Sequence, residues 1–123
     1  MYLRFVVGND STSLQKQFGL FSEVEDLRYN GGLEDYQRRL VKEIFNYFNS
    51  NLPVPPYSSK KWSTNTFAWF KDSAQDYINK MWELVAILEQ NDISVRILKT
   101  DKPGMILYED EYQVVAQSGK TLI

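Results

Sequence analysis

Leu3, Phe5 and Val7 alternate with Tyr2, Arg4 and Val6 at the start of the chain, the period of two that marks a strand with one face on a core. Gly8-Asn9-Asp10 closes this segment as a turn cluster, and polar residues continue to about Gln17. Ser22 and Glu25 then stand three apart, the capping-box spacing in which a hydroxyl and a carboxylate each take a free amide. A short helix is expected from there to Gly31-Gly32, where a left-handed residue costs little. From Leu33 the apolar positions fall at Tyr36, Leu40, Val41, Ile44, Phe45, Phe48 and Leu52, the three-and-four spacing of an amphipathic helix. Glu34 with Arg38 and Asp35 with Arg39 are acid-first pairs one turn apart, so that face is solvated. Pro53, Pro55 and Pro56 end the helix, because proline lacks the amide donor and disfavours helical backbone before it.

Residues 53–65 form the longest irregular stretch, a length that in small domains often carries function. A third helix is expected to start between Thr66 and Ser73 and to run to about Gln90, burying Ala74, Tyr77, Ile78, Met81, Leu84, Val85 and Leu88. Trp82 and Ile87 widen that stripe, so the helix should pack on a sheet and on a neighbouring helix. Asn91-Asp92 breaks it, and Ile93 to Ile97 alternates as a strand. After the turn at Asp101-Lys102-Pro103-Gly104 come strands at Met105–Glu109 and Tyr112–Ala116. The acidic bend between them lacks the Asn-Gly of a tight hairpin, which favours a longer loop or a bulge. Residues 117–123 carry no pattern and should fray. The order β-α-α-α-β-β-β predicts an α+β domain spanning 1–123, a four-stranded mixed or antiparallel sheet with its helices packed on one face.

Composition narrows the function classes. At 123 residues, with 43% apolar and 24% charged positions, the chain lies in the range that folds around one core. A formal charge of −2 supplies no general attraction to phosphate backbones, so broad nucleic-acid binding is disfavoured. With no cysteine and no histidine, the chain has no disulfide, no thiolate nucleophile and neither of the usual zinc ligands. No cofactor or metal is expected. The amino terminus lacks a basic head and a long apolar run, and no stretch nears the roughly 20 apolar residues of a membrane span; a soluble, cytoplasmic protein is the expectation.

Two groups of residues carry candidate chemistry. Lys71, Asp72 and Ser73 fall where the third helix is expected to begin, so free amides and the positive end of its dipole would favour an anion there. Trp69, Thr100, Lys102 and Asp110 complete a candidate ligand set, and Asp72 or Ser73 as a plain helix cap is the alternative. Glu109-Asp110-Glu111 offers hard oxygens, but an extended chain points them to alternate faces, so at most two could share a metal, and a solvated turn is the plain reading. Ser118-Gly119-Lys120-Thr121 ends like a phosphate loop, yet the glycine required five residues earlier is replaced by Val114 and the motif fails. Tyr57 and Trp62 in the irregular stretch, with Tyr2, Arg4 and Arg96 on the outer side of the sheet, are candidates for partner contact, since aromatic residues and arginine dominate interfaces.

Trp69-Phe70-Lys71-Asp72-Ser73-Ala74, Glu83-Leu84-Val85-Ala86-Ile87-Leu88-Glu89, Thr100-Asp101-Lys102-Pro103-Gly104 and Tyr108-Glu109-Asp110-Glu111-Tyr112-Gln113-Val114-Val115-Ala116 together resemble a family of short hypothetical bacterial proteins. Tyr2 to Val7 is similar as well. The resemblance spans most of the chain and implies a bacterial or phage origin; it implies no activity.

Two functions from different classes follow. The first is a small binding module that meets a protein partner, or a second copy of itself, through the open sheet face and the 53–65 loop. The second is a small enzyme or binding protein for a phosphorylated or nucleotide-like ligand, built on Trp69–Ser73 and Thr100–Gly104. An exposed apolar patch larger than the usual few hundred Å² would mark the first; a deep pocket joining Trp69–Ser73 to the Thr100–Gly104 turn would favour the second, and a filled seam between helices and sheet would remove it.

Overall fold

Among residues 1–7, 18–56, 59–60, 62 and 65–118, which the computed structural model describes, the elements run in a fixed order. They are β1 (Tyr2–Val7), β2 (Phe18–Gly19), α1 (Leu20–Tyr29), α2 (Asp35–Asn51), β3 (Thr66–Lys71), α3 (Gln75–Gln90), β4 (Val95–Thr100), β5 (Met105–Glu109) and β6 (Gln113–Gln117). The turn at Gly8-Asn9-Asp10 and the Gly119-Lys120-Thr121 segment lie outside the described residues.

The α+β class holds, but the expected four strands become five main strands and the two-residue β2. Every pairing is antiparallel: β4 pairs β1, β1 pairs β3, β3 pairs β6 and β6 pairs β5. The strand that the periodicity does not predict is β3. Phe67 and Trp69 lie on one side of it and Ala68 and Phe70 on the other, so both sides are apolar and no alternation shows. A short apolar run of that kind reads equally well as the start of a helix. The run is rich in aromatic and β-branched types, which fit a pleated surface. Helix α3 therefore begins at Gln75, and β4 lies two residues later than expected.

Helix α2 opens on a capping box one residue after the predicted start: the Glu34 amide donates to Gln37 Oε1 at 3.0 Å. Gln37 is itself buried, and its Nε2 donates to Gln90 Oε1 at 2.8 Å, tying the start of α2 to the end of α3. Leu3, Phe5, Val7, Phe70, Val95 and Ile97 from one sheet face pack with Val24 of α1, Val41, Ile44 and Phe48 of α2, and Tyr77, Met81, Leu84 and Leu88 of α3. The helices thus cover one face, and that layer holds the main core.

The other face carries none of the described helices, yet it is not flat and open. Register places Val6, Trp69, Val114 and Ala116 on it, and all four are buried, the aliphatic three completely. Chain connection explains this. Strands β4 and β5 are the two edges of the sheet, four spacings apart, or about 19 Å if the sheet were flat. From Thr100 to Met105 there are five chain steps, which reach about 17–18 Å only when fully extended. The connection is not extended, because the Lys102 amide folds back to Thr100 Oγ1 at 3.0 Å and Gly104 sits at φ +113°. The sheet must curl, and the buried helix-free face is its concave side.

Gly104 is held close to its neighbour strand: a Cβ there would stand 2.1 Å from the Gln117 carbonyl oxygen. Gly104→Ala is expected to lower stability by about 1–3 kcal/mol or more through strained backbone and displacement of β5. Gly31→Ala, also at positive φ but with nothing within 4 Å, should cost only about 1–2 kcal/mol. Urea denaturation of both variants checks the order; equal losses would contradict the curled connection.

Candidate functional site

Two backbone hydrogen bonds fix which way the amides of β3 point. The Lys71 amide donates to the Tyr112 carbonyl at 2.8 Å, and the Asp72 amide donates to the Met1 carbonyl at 3.1 Å. Odd-numbered residues of β3 therefore turn their backbone groups to β6 and even-numbered ones to β1, as antiparallel pairing demands. The β1–β3 ladder has only two register pairs, Tyr2↔Lys71 and Leu3↔Phe70. Beyond Leu3 the same edge of β1 is taken by β2, at Val6↔Gly19 and Val7↔Phe18. Strands β1 and β3 fork there. Phe5 and Ala68, which a continued ladder would set opposite each other, are not paired, and the Ala68 N–H and C=O face the opening.

That opening adjoins a cleft of about 570 Å³. Its sheet walls are Phe5 of β1 and Thr66 to Phe70 of β3; its helix walls are Leu20 and Phe21 of α1, Phe45, Phe48 and Leu52 of α2, and Met81 of α3. Pro53, Val54 and Pro55 close one end. Phe21 packs edge-on against Phe48 with centroids 5.3 Å apart and yet is 37% exposed, so it stands at the rim. Val54, at 78% exposure, stands there too. The lining is predominantly apolar and aromatic, with a small number of polar groups set into it.

Arg4 is the cation among them. Its guanidinium lies 4.5 Å from the centre of the Phe67 ring, a cation–π contact across the fork. Burial holds its pKa below the ordinary arginine value. Arg4 Nη1 and Trp69 Nε1 are both buried without a hydrogen-bond partner, and both residues line the cleft. On the neighbouring strand Arg96 opposes Val6, so its side chain shares the concave face with Arg4; its Nε and Nη2 are also buried and unpartnered.

The candidate ligand set read from the sequence is dispersed. Trp69 alone of that set lines the cleft. Lys71 lies at the end of β3 with Nζ 2.6 Å from Glu109 Oε2. Asp72 and Ser73 form a turn before α3 and do not cap it: the N-cap is Ala74, with no side-chain bond. Asp72 instead approaches the amino-terminal nitrogen at 3.5 Å, and its carbonyl accepts from Gln75 Nε2. Thr100 accepts from the Lys102 amide, and the Lys102 side chain is exposed. Among the described residues no three acidic groups gather as a cation would require.

Asp110 organises the β5–β6 connection. Its Oδ1 accepts from the amides of Tyr112 at 2.8 Å and Gln113 at 3.1 Å, while Oδ2 accepts from the Tyr108 hydroxyl at 2.8 Å and Gln113 Nε2 at 3.1 Å. Burial by itself would raise its pKa, but these four bonds outweigh burial and hold the carboxyl below its ordinary value. Gln113 is buried and passes the support on, donating from Nε2 to the Pro53 carbonyl at 2.6 Å in the cleft wall.

Of the candidate partner residues, Arg4 and Arg96 lie on the concave face as described, and Tyr2 is half-buried at the closed end of the fork. Trp62 is half-buried in the irregular stretch; Tyr57 lies outside the described residues. The cleft residues that sequence reasoning missed are Leu20, Phe21, Phe45 and Phe48. Leu20 and Phe21 precede the helix expected from Ser22, and the spacing of Phe45 and Phe48 marks them as helix core, where nothing distinguishes a ring that fills a seam from one that lines a gap.

Comparison with family models, with curated proteins and with solved structures gives no match.

Because its folded pKa lies below the unfolded value near 3.8, Asp110 contributes stability above that pH, and the contribution is lost as pH falls through the folded pKa. Asp110→Ala should cost about 1–3 kcal/mol at pH 7. The gap between wild type and variant should narrow below pH 4. Thermal melts from pH 7 to 3 test this, and a gap independent of pH would contradict the carboxylate's part.

Proposed function

We propose that this protein is a small ligand-binding module whose site is the cleft at the β1–β3 fork. The observation that carries the reading is the cleft itself: a gap of about 570 Å³, within the roughly 300–1,000 Å³ of small-molecule sites, apolar in lining and bearing few polar groups. A ligand there meets the rings of Phe21, Phe45, Phe48 and Phe67, so its body is apolar.

The reading departs from a broad interaction surface on the sheet. The centre of the concave face is occupied by buried Val6, Val114 and Ala116, which leaves little flat surface for a partner. Tyr29, Tyr36, Trp82 and Met105, all exposed, sit on four different elements, and single exposed apolar residues are ordinary on protein surfaces. Part of the 53–65 stretch does enter the proposed site, through Pro53 to Pro55. No described helix is long and apolar enough to cross a membrane.

The neutral apolar dye N-phenyl-1-naphthylamine is the first probe. Wild-type protein should enhance its fluorescence with micromolar affinity. Ala68→Leu, which fills the cleft from the β3 wall, should weaken this at least about tenfold, since the filled volume no longer admits a ring. Asn49→Trp, at the exposed α2 edge of the cleft, should do the same without touching the core. Dye binding that neither variant alters would overturn the proposal.

A further inference from the structure

We infer that the cleft's ligand carries a singly charged anionic head, and that a carboxylate held by Arg4 and the Trp69 indole is the group it fits. This inference rests on the cleft reading for the ligand's apolar body and adds the chemistry of its polar end.

The argument starts from donors left over. A buried polar atom without a partner is uncommon in a folded protein and signals a missing water, ion or ligand group. Here two such donors, Arg4 Nη1 and Trp69 Nε1, belong to residues lining one cleft. A third donor faces the same opening: the Ala68 amide, turned toward β1 by strand parity where the ladder has ended. Arginine adds a charge that the fold does not answer, since no described ion pair involves Arg4 or Arg96. The Phe67 ring, 4.5 Å from the guanidinium carbon, offsets part of the cost of burying that charge, while the in-plane N–H groups of Nη1 have no partner.

Those in-plane groups are the ones that bind oxyanions. A guanidinium presents parallel N–H bonds that match the two oxygens of a carboxylate, and charge-assisted bonds of this type are roughly twice as strong as neutral ones. Among the described residues lining the cleft, Arg4 is the one that carries a charge. One cation with indole and amide donors suits a monoanion better than a doubly charged phosphate. Arg96, on the next strand with its side chain on the same face, raises the local positive potential without lining the cleft. An aliphatic or aromatic monocarboxylate would lay its apolar body among the phenylalanines on the helix side and reach through the fork with its head toward Arg4 and Trp69, whose side chains lie on the other face of the sheet.

Decanoate and 1-decanol separate head from body, because they share a chain and differ in charge. Each is titrated against dye-loaded protein at pH 7.5, with Trp69 indole N–H followed by ¹⁵N-edited NMR after assignment through Trp69→Phe. Decanoate is expected to displace the dye at least about tenfold more tightly than decanol and to shift the Trp69 signal, while decanol leaves it in place. Arg4→Met should bring decanoate down to the affinity of decanol and leave decanol unchanged; Arg4→Lys, which keeps the charge, should recover part of the difference. Equal binding of the two chains by wild-type protein would overturn the inference while leaving the cleft reading intact. So would a preference for decanoate that survives Arg4→Met, or dye binding that neither chain displaces. If the dye itself fails to bind, the cleft reading falls first and the inference with it. Should Arg4→Met not fold, the comparison of decanoate with decanol on wild-type protein still decides.

Discussion

Strand β1 has one edge and two claimants for it. Two residues go to β3 and two to β2, which leaves only Arg4 and Phe5 of the six-residue strand between the claimants. Antiparallel strands lie about 4.8 Å apart when paired, so β3 cannot stay beside β1 where the β2 segment occupies that lane. The fork after Leu3↔Phe70 is thus forced by the connection from β2 into α1, which delivers Leu20 and Phe21 to the very place where the ladder stops. The cleft, its aromatic walls and its unclaimed backbone donor all descend from that shared edge.

The curl of the sheet has a consequence for charge. On a flat sheet Arg4 and Arg96 would stand in water, where a guanidinium costs nothing to keep. On the concave side Arg4 Nη1 and Arg96 Nε and Nη2 are enclosed, and burying part of a cation without a counter-ion is costly unless other contacts offset it. Arg4 finds one offset in Phe67. A leucine or methionine at either position would carry no such cost.

Helix α2, the strands β1, β5 and β6 and the α+β class are all legible in the sequence, because each rests on local periodicity. The capping box at Glu34 and Gln37 is not among the signals read, and the Ser22–Glu25 spacing that is read as a helix start falls inside α1, which begins at Leu20. Strand β3 escaped because both its sides are apolar, so alternation, the one signal a single strand gives, is absent. Misplacing β3 misplaced Lys71, Asp72 and Ser73: a helix start would make them an anion site, whereas a strand end and a turn give them a salt bridge and the amino terminus. Arg4, Arg96 and Trp69 were legible as candidates by residue type, but not their company. What brings Arg4 and Trp69 to one cleft is the pairing of β1 with β3, whose partner residues stand more than sixty positions apart in the chain, and pairing at that range is a property of the whole sheet.

Residue-resolved amide hydrogen exchange across β3 tests the fork most directly, since exchange reports which backbone donors are held in a ladder. If β1 and β3 part after Leu3↔Phe70, the Ala68 amide should exchange at least about tenfold faster than Phe67 and Trp69, which face β6, and faster than Phe70, which still faces β1. An Ala68 amide as protected as that of Phe70 would mean that the two strands zip together, and a zipped sheet has no cleft.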